Sequence, residues 1–151
     1  MRRLADEARI RTFMRALGRA ARRPARVYLT GGATAVLSGW RASTIDIDLK
    51  LVPDDDALLR AIPELKESLE VKEGPLAFYH FDLTAQALSK IERGHEQDVE
   101  DVREMIRRGL VQPDGLRRAY AAIEPQLYRY PAVDPASFRQ SLDALLKSIR
   151  R

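Results

Sequence analysis

Residues 26–51, RVYLTGGATAVLSGWRASTIDIDLKL, constrain the fold more than any other stretch of the chain. RVYLT reads as a short buried strand, and Gly31 and Gly32 as the sharp turn that ends it. ATAVLSGW then reads as a short helix closed near Gly39. Residues 44–51, TIDIDLKL, alternate apolar and polar side chains and read as a second strand, stopped by Pro53. Thirteen residues separate Gly32 from Asp46, enough for that helix and a return to an adjacent strand. A glycine turn and an acidic strand are therefore expected side by side.

The other elements follow from periodicity and punctuation. Leu4, Ile10, Phe13, Met14 and Leu17 fall at helical spacing over residues 4–22, and Pro24 ends that helix. Residues 54–70, DDDALLRAIPELKESLE, read as a helix capped by one of Asp54 to Asp56 and broken at Pro63. Residues 76–83, LAFYHFDL, read as a third strand, with Phe78, His80 and Asp82 on one face. From residue 84 only helices are expected. One covers about 85–108 with an interruption near Gly94, and another follows Asp114. The last starts at Asp134–Pro135, a cap followed by proline in the first turn. This order predicts an α/β (α+β) fold, a small mixed β-sheet flanked by helices with a helical C-terminal part. The expected organisation is a basic N-terminal helix over 1–25, a core over 26–110 and C-terminal helices over 111–151, all in one compact domain.

Composition narrows the chemistry. A chain of 151 residues, 45% hydrophobic and 32% charged, has the make-up of a soluble globular protein. No apolar run approaches the ~18 residues of a membrane span, and no secretory segment follows Met1, so a cytoplasmic protein with no membrane partner is expected. The absence of cysteine removes disulfide and thiolate chemistry. His80 and His95 are too few for a histidine-rich metal site. Residues 1–26 carry nine arginines against Asp6 and Glu7, a net +7, and the remainder of the chain carries −3. Such an arm suits nucleic-acid phosphate or an acidic partner, or is simply an exposed arginine-rich helix face. Its basic, alanine-rich character also resembles an organellar transit peptide, although Asp6 and Glu7 run against that.

Asp46 and Asp48 give the chain its clearest chemical signature. On a strand, residues i and i+2 point to one face, roughly 6.6 Å apart. Two carboxylates so spaced suit one hard divalent cation such as Mg²⁺, which keeps part of its coordination for substrate phosphates. The plain alternative is an edge strand with both acids facing water. Glycines between a strand and a helix let backbone N–H groups approach phosphate. Turn and acids together make a phosphoryl-transfer layout. Further on, LSKIERGHEQDVEDV (88–102) puts Lys90 and Arg93 on one helical face, and Asp98 and Asp101 on another just beyond Gly94. Lys90 supplies a compact positive charge for a triphosphate, and the two acids would orient it or act as a base. An ordinary exposed helix with ion pairs is the alternative. Trp40 and His80 read as packed side chains, and His95 as exposed.

With these residues in view, the sequence resembles the polymerase-β-like nucleotidyltransferase superfamily. The matching residues are Gly31 and Gly32, then the Asp46-x-Asp48 strand, with Arg41, Ser43 and Thr44 similar to the polar lead-in of small bacterial branches. Lys90, Arg93, Asp98 and Asp101 look like the corresponding segment of the abortive-infection (type IV toxin) nucleotidyltransferases. The resemblance covers roughly residues 26–108 and implies a nucleotidyltransferase-like core. It implies that Asp46, Asp48 and a third carboxylate bind two Mg²⁺ ions. Asp82 is preferred as that third acid, with Glu70 its competitor. Gly31, Gly32, Arg41, Ser43, Thr44, Lys90 and Arg93 would then hold the NTP, with Lys90 also catalytic. The expected reaction moves an NMP from an NTP to a hydroxyl of RNA (tRNA) or protein, as a toxin with a cognate antitoxin. The other reading is a non-catalytic nucleotide- or RNA-binding module of a regulatory pair, which the short VKEGPLA stretch favours. A purely structural α/β domain is a third.

Overall fold

A computed structural model describes residues 4–21, 23–52 and 71–150, with the side chains of Leu51 and Val52 outside that description. The helix expected over 54–70, its Asp54–Asp56 cap, Pro53, Pro63 and Glu70 lie outside the described residues. The chain is mixed α/β and divides into two compact units, Met1–Asp82 and Leu83–Arg151.

The described residues of the first unit form a four-stranded sheet, a two-stranded ribbon and two helices. Strand β1 (Ala5–Asp6) leads into α1 (Glu7–Ala20), whose first turn is capped by Asp6 accepting from the Arg9 amide at 2.9 Å. Then come β2 (Ala25–Thr30), α2 (Gly32–Leu37), β3 (Ser43–Thr44), β4 (Asp48–Val52), β5 (Val71–Glu73) and β6 (Leu76–His80). The sheet order is β4-β2-β6-β5, with β2 and β6 parallel and the outer pairs antiparallel. β1 pairs with β3, Ala5 opposite Thr44 and Asp6 opposite Ser43.

Alternation along β2 sorts the two faces. Val27 and Leu29 join Phe78, Ile10, Met14 and Val36 in a buried apolar cluster between the sheet and the two helices. Tyr28 points the other way and stacks on Tyr79, ring centroids 5.7 Å apart. Ile47 and Leu49 pack against the cluster, so Asp48 and Lys50, on alternate positions of β4, face outward.

Two sequence expectations change here. The strand expected over 44–51 is two strands in different sheets, because Thr44 pairs with Ala5 and Asp48 pairs with Thr30. The chain crosses between them over Ile45–Ile47, which leaves Ile45 61% exposed. The strand expected over 76–83 ends at His80, and β5 was not foreseen at all. β5 is three residues long, too short for alternation to register, and Gly74 at φ 57° turns it into β6.

That turn is packed tightly on α1. A Cβ added at Gly18 would lie 2.4 Å from the Glu73 carbonyl oxygen, and one at Gly74 2.7 Å from the Gly18 oxygen. Glycine to alanine in an open helix stabilises by about 1 kcal/mol. At position 18 the sign reverses, since backbone must move to admit the methyl group. Gly18→Ala is expected to lower stability by about 1–3 kcal/mol, read as a lower urea midpoint at unchanged m-value.

The second unit is helical, as expected. It holds α3 (Leu83–Arg93), α4 (Glu96–Arg107), α5 (Pro113–Ile123), a 3₁₀ helix (Glu124–Arg129) and α6 (Pro135–Ile149). Gly94, at φ 70°, makes the foreseen break between α3 and α4. Asp134 caps α6 by accepting from the Ala136 and Ser137 amides. Tyr120 packs edge-on against Phe138 at 4.9 Å and donates its hydroxyl proton to the Pro135 carbonyl at 2.7 Å.

Candidate functional site

The glycine turn and the acidic strand do meet. Register pairs Thr30 with Asp48, which brings the Asp48 side chain beside Gly31. A Cβ added at Gly31 would lie 3.3 Å from Asp48 Oδ2, and one at Gly32 2.0 Å from Thr44 Oγ1. Gly31 also holds φ 64°, ψ −130°, a region that only glycine occupies freely. Both glycines thus serve two purposes: they turn the chain into α2, and they admit a carboxylate and a hydroxyl at backbone range.

Asp46 is positioned differently from the expectation. It sits in the crossing segment rather than on a strand, and the Thr44 hydroxyl donates to its carbonyl at 3.1 Å to close the bend. Its carboxylate and that of Asp48 are both on exposed residues. Ser43 is held in the ribbon opposite Asp6, and Arg41 follows α2, its amide donating to the Ala35 carbonyl at 3.3 Å beside that of Trp40. Asp82 lies beyond the end of β6, next to Phe81, whose amide still donates to the Leu29 carbonyl at 2.7 Å.

Exposed carboxylates are the hard oxygen donors that Mg²⁺ takes one or two of, and Asp46 and Asp48 are donors of that kind. Among the described residues, no group of three or more histidine, aspartate or glutamate side chains is placed to hold a metal together. Asp46, Asp48 and Asp82 therefore do not form the expected three-acid cluster in this structure, and Glu70 lies outside the described residues.

His80 is packed, as the sequence suggested. Thr34 Oγ1 lies 3.2 Å from the Leu29 carbonyl oxygen and 3.0 Å from His80 Nδ1, so the ring is tied by a hydrogen bond to the start of α2. Burial lowers the His80 pKa from the usual 6.5 to about 4, and the ring is neutral at physiological pH.

In the second unit Lys90, Arg93, Asp98 and Asp101 come together as an internal network. Lys90 Nζ lies 2.7 Å from Asp101 Oδ2 and 3.6 Å from Asp98 Oδ1. Arg93 donates to Asp98 Oδ1 at 2.9 Å, and Gln97 donates to Asp101 Oδ1 at 3.2 Å. The two acids orient the lysine, but Lys90 is 4% exposed and Asp101 1%. A lysine so enclosed meets a phosphate only after its pair opens, and its place in the structure is that of a core ion pair. Gln97 went unnoticed in the sequence because its spacing gives the face it shares with Asp101 but not the burial that makes Asp101 need its amide.

A cleft of about 630 Å³ runs between α1 and the Ile45–Ile47 segment, lined by Asp6, Arg9, Thr12, Phe13, Ile45 and Asp46 among others. Nothing local in the sequence announces it, since it exists because the β1–β3 ribbon sets α1 beside the crossing segment. Among the described residues no helix is long and apolar enough to cross a membrane. Comparison with protein-family models, curated proteins and solved structures finds no match to this chain.

Proposed function

We propose that the chain is a Mg²⁺-dependent nucleotidyltransferase that moves an NMP from an NTP to a hydroxyl of RNA or protein. The observation that carries this reading is the juxtaposition of Gly31 with Asp48 and of Gly32 with Thr44. In the reaction the acceptor oxygen forms a bond to the α-phosphorus, the bond from that phosphorus to the β-phosphate oxygen breaks, and pyrophosphate leaves. The acceptor hydroxyl loses its proton to a carboxylate or to water. Asp46 and Asp48 would hold the ion with the nucleotide's phosphates. A bound Mg²⁺ supplies charge neutralisation at the triphosphate. Gly31, Gly32 and Thr44 shape the wall on which the nucleotide lies, and Arg41 and Ser43 border it. The resemblance to the toxin branch extends the proposal to a tRNA acceptor and a cognate antitoxin.

A second reading, a nucleotide- or RNA-binding module without turnover, is favoured by one observation. No third acid joins Asp46 and Asp48 among the described residues. The two readings separate in one experiment. The purified chain is incubated with Mg²⁺, each α-labelled NTP in turn, and bacterial RNA or lysate. Transfer of label by wild type, reduced at least about a hundredfold in Asp48→Asn, is the expected result. Asp48 is exposed, so the substitution should leave the fold intact, checked by its thermal transition. Nucleotide binding without transfer in any mixture selects the binding module, and no binding at all selects a structural domain.

A further inference from the structure

We propose that the pocket where the α3–α4 junction faces α6 binds a small monocarboxylate, with its apolar body inside and its carboxylate on Arg103. The pocket holds about 260 Å³ and lies wholly within the second unit. An apolar cavity of ~150 Å³ already takes a benzene-sized molecule, so a short alkyl chain or a single ring fits this one. The inference is independent of the transfer proposed above, since no part of the Asp46–Asp48 segment enters it.

The depth of the pocket follows from two small residues. Gly94 turns the chain at φ 70° without a side chain, and a Cβ built there would meet nothing nearer than the Ile91 carbonyl oxygen at 3.8 Å. Ala144, on α6, presents only a methyl group. Between them Ile91, Val99 and Leu145 form the apolar walls, the first and last buried and Val99 half-buried. An apolar guest is held there in proportion to the surface it removes from water.

Two polar side chains complete the lining, Arg103 and Ser141, and no acid joins them. Arg103 stands apart from its neighbours. Of the four arginines between residues 93 and 108, Arg93 is paired with Asp98, and Arg107 and Arg108 both with Glu104. Arg103 has no ion pair among the described residues, although Glu100 precedes it by three positions on the same helix. The Ser141 hydroxyl likewise makes no hydrogen bond among them. Both residues are exposed, which sets their polar groups at the mouth. An apolar pocket with a few polar groups that fix orientation is the usual form of a small-molecule site. The planar guanidinium matches the two oxygens of a carboxylate, and the serine donates a further hydrogen bond. One cation balances one negative charge, so a monoanion is preferred over a polyanion, and an amine is repelled.

The full chain is titrated with hexanoate, hexanol, acetate and hexylamine while the methyl resonances of Ile91, Val99 and Leu145 are followed by NMR. Hexanoate should bind at least about tenfold more tightly than hexanol or acetate, shift those methyl groups and raise the thermal transition. Arg103→Gln should lower hexanoate to the level of hexanol, a loss of about tenfold, and Ala144→Leu should block both by filling the pocket. Both positions are exposed, so the variants keep the fold, as their thermal transitions without ligand will check. Hexanol or hexylamine binding as tightly as hexanoate overturns the proposal, as does undiminished hexanoate binding in Arg103→Gln. Methyl shifts confined to other parts of the chain, or no hexanoate binding at all, overturn it as well.

Discussion

Replacing Asp101 by asparagine is expected to lower the stability of the chain by about 3–5 kcal/mol, one of the two largest effects of any single change considered for it. Lys90 and Asp101 meet at 2.7 Å where almost no water reaches them, and Asp98, 3.6 Å from the same ammonium, is already shared with Arg93. Neutralising Asp101 leaves two cations on one carboxylate, one of them buried. Lys90→Met should cost a similar amount, because the buried Asp101 carboxylate then loses its ammonium partner while the Gln97 amide it keeps is neutral. The double variant Lys90→Met/Asp101→Leu should recover most of the loss, since apolar side chains of similar volume replace buried ion pairs at little net cost. Urea titration of Lys90→Met, Asp101→Leu and their combination forms a double-mutant cycle. A coupling energy near zero would remove the pair from the list of what holds the helical unit together. The same variants bear on function: a loss of activity at Lys90 that tracks the loss of fold is no sign of a phosphate contact.

The second large effect is one of pH. His80 has a folded pKa of about 4 against the usual 6.5 in an unfolded chain, lowered by burial. Above pH 6.5 the ring is neutral in both states and contributes no slope. Between 6.5 and about 4 the unfolded chain takes up a proton that the folded chain refuses, so stability falls as pH falls. The full loss is on the order of 3 kcal/mol and is complete below about pH 4. Carboxylates also titrate at the acid end, so the informative quantity is the difference between wild type and His80→Gln from pH 5 to 6.5. Wild type should lose stability over that window and the variant should not. Parallel slopes would mean that the ring protonates freely in the folded state.

What the sequence disclosed, and what it concealed, divides along the range of the interactions. Helix ends marked by local chemistry were legible: Gly94, the Asp134–Pro135 cap and the end of β2 at Gly31. The meeting of Gly31 with Asp48 was legible too, because strand, turn, helix and strand leave little choice of path. The break in TIDIDLKL was not. Its apolar-acid alternation is continuous, and the cause of the break, pairing of Thr44 with Ala5, lies thirty-nine residues earlier in the chain. The same ribbon creates the cleft, which is why Thr12 and Phe13 read only as part of an amphipathic helix. Lys90 was assigned to phosphate from its type and spacing, but spacing gives the helical face and not its burial. Asp82 was assigned to a strand that in fact stops two residues before it.

The parallel pairing of β2 with β6 bears on how the molecule is made. Tyr28 is opposite Tyr79, fifty-one residues later, and β2 lies in the interior of the sheet. While the chain is being synthesised, β2 emerges with β4 available to one edge and nothing for the other until Leu76–His80 has left the ribosome. Val27 and Leu29, the middle of the apolar cluster, are exposed for that interval. Non-local pairing of this kind folds slowly, and an open edge beside hydrophobic residues invites association with other nascent chains. Newly made first units thus have a window of vulnerability that closes only with β6, and chaperone dependence during expression should be concentrated there.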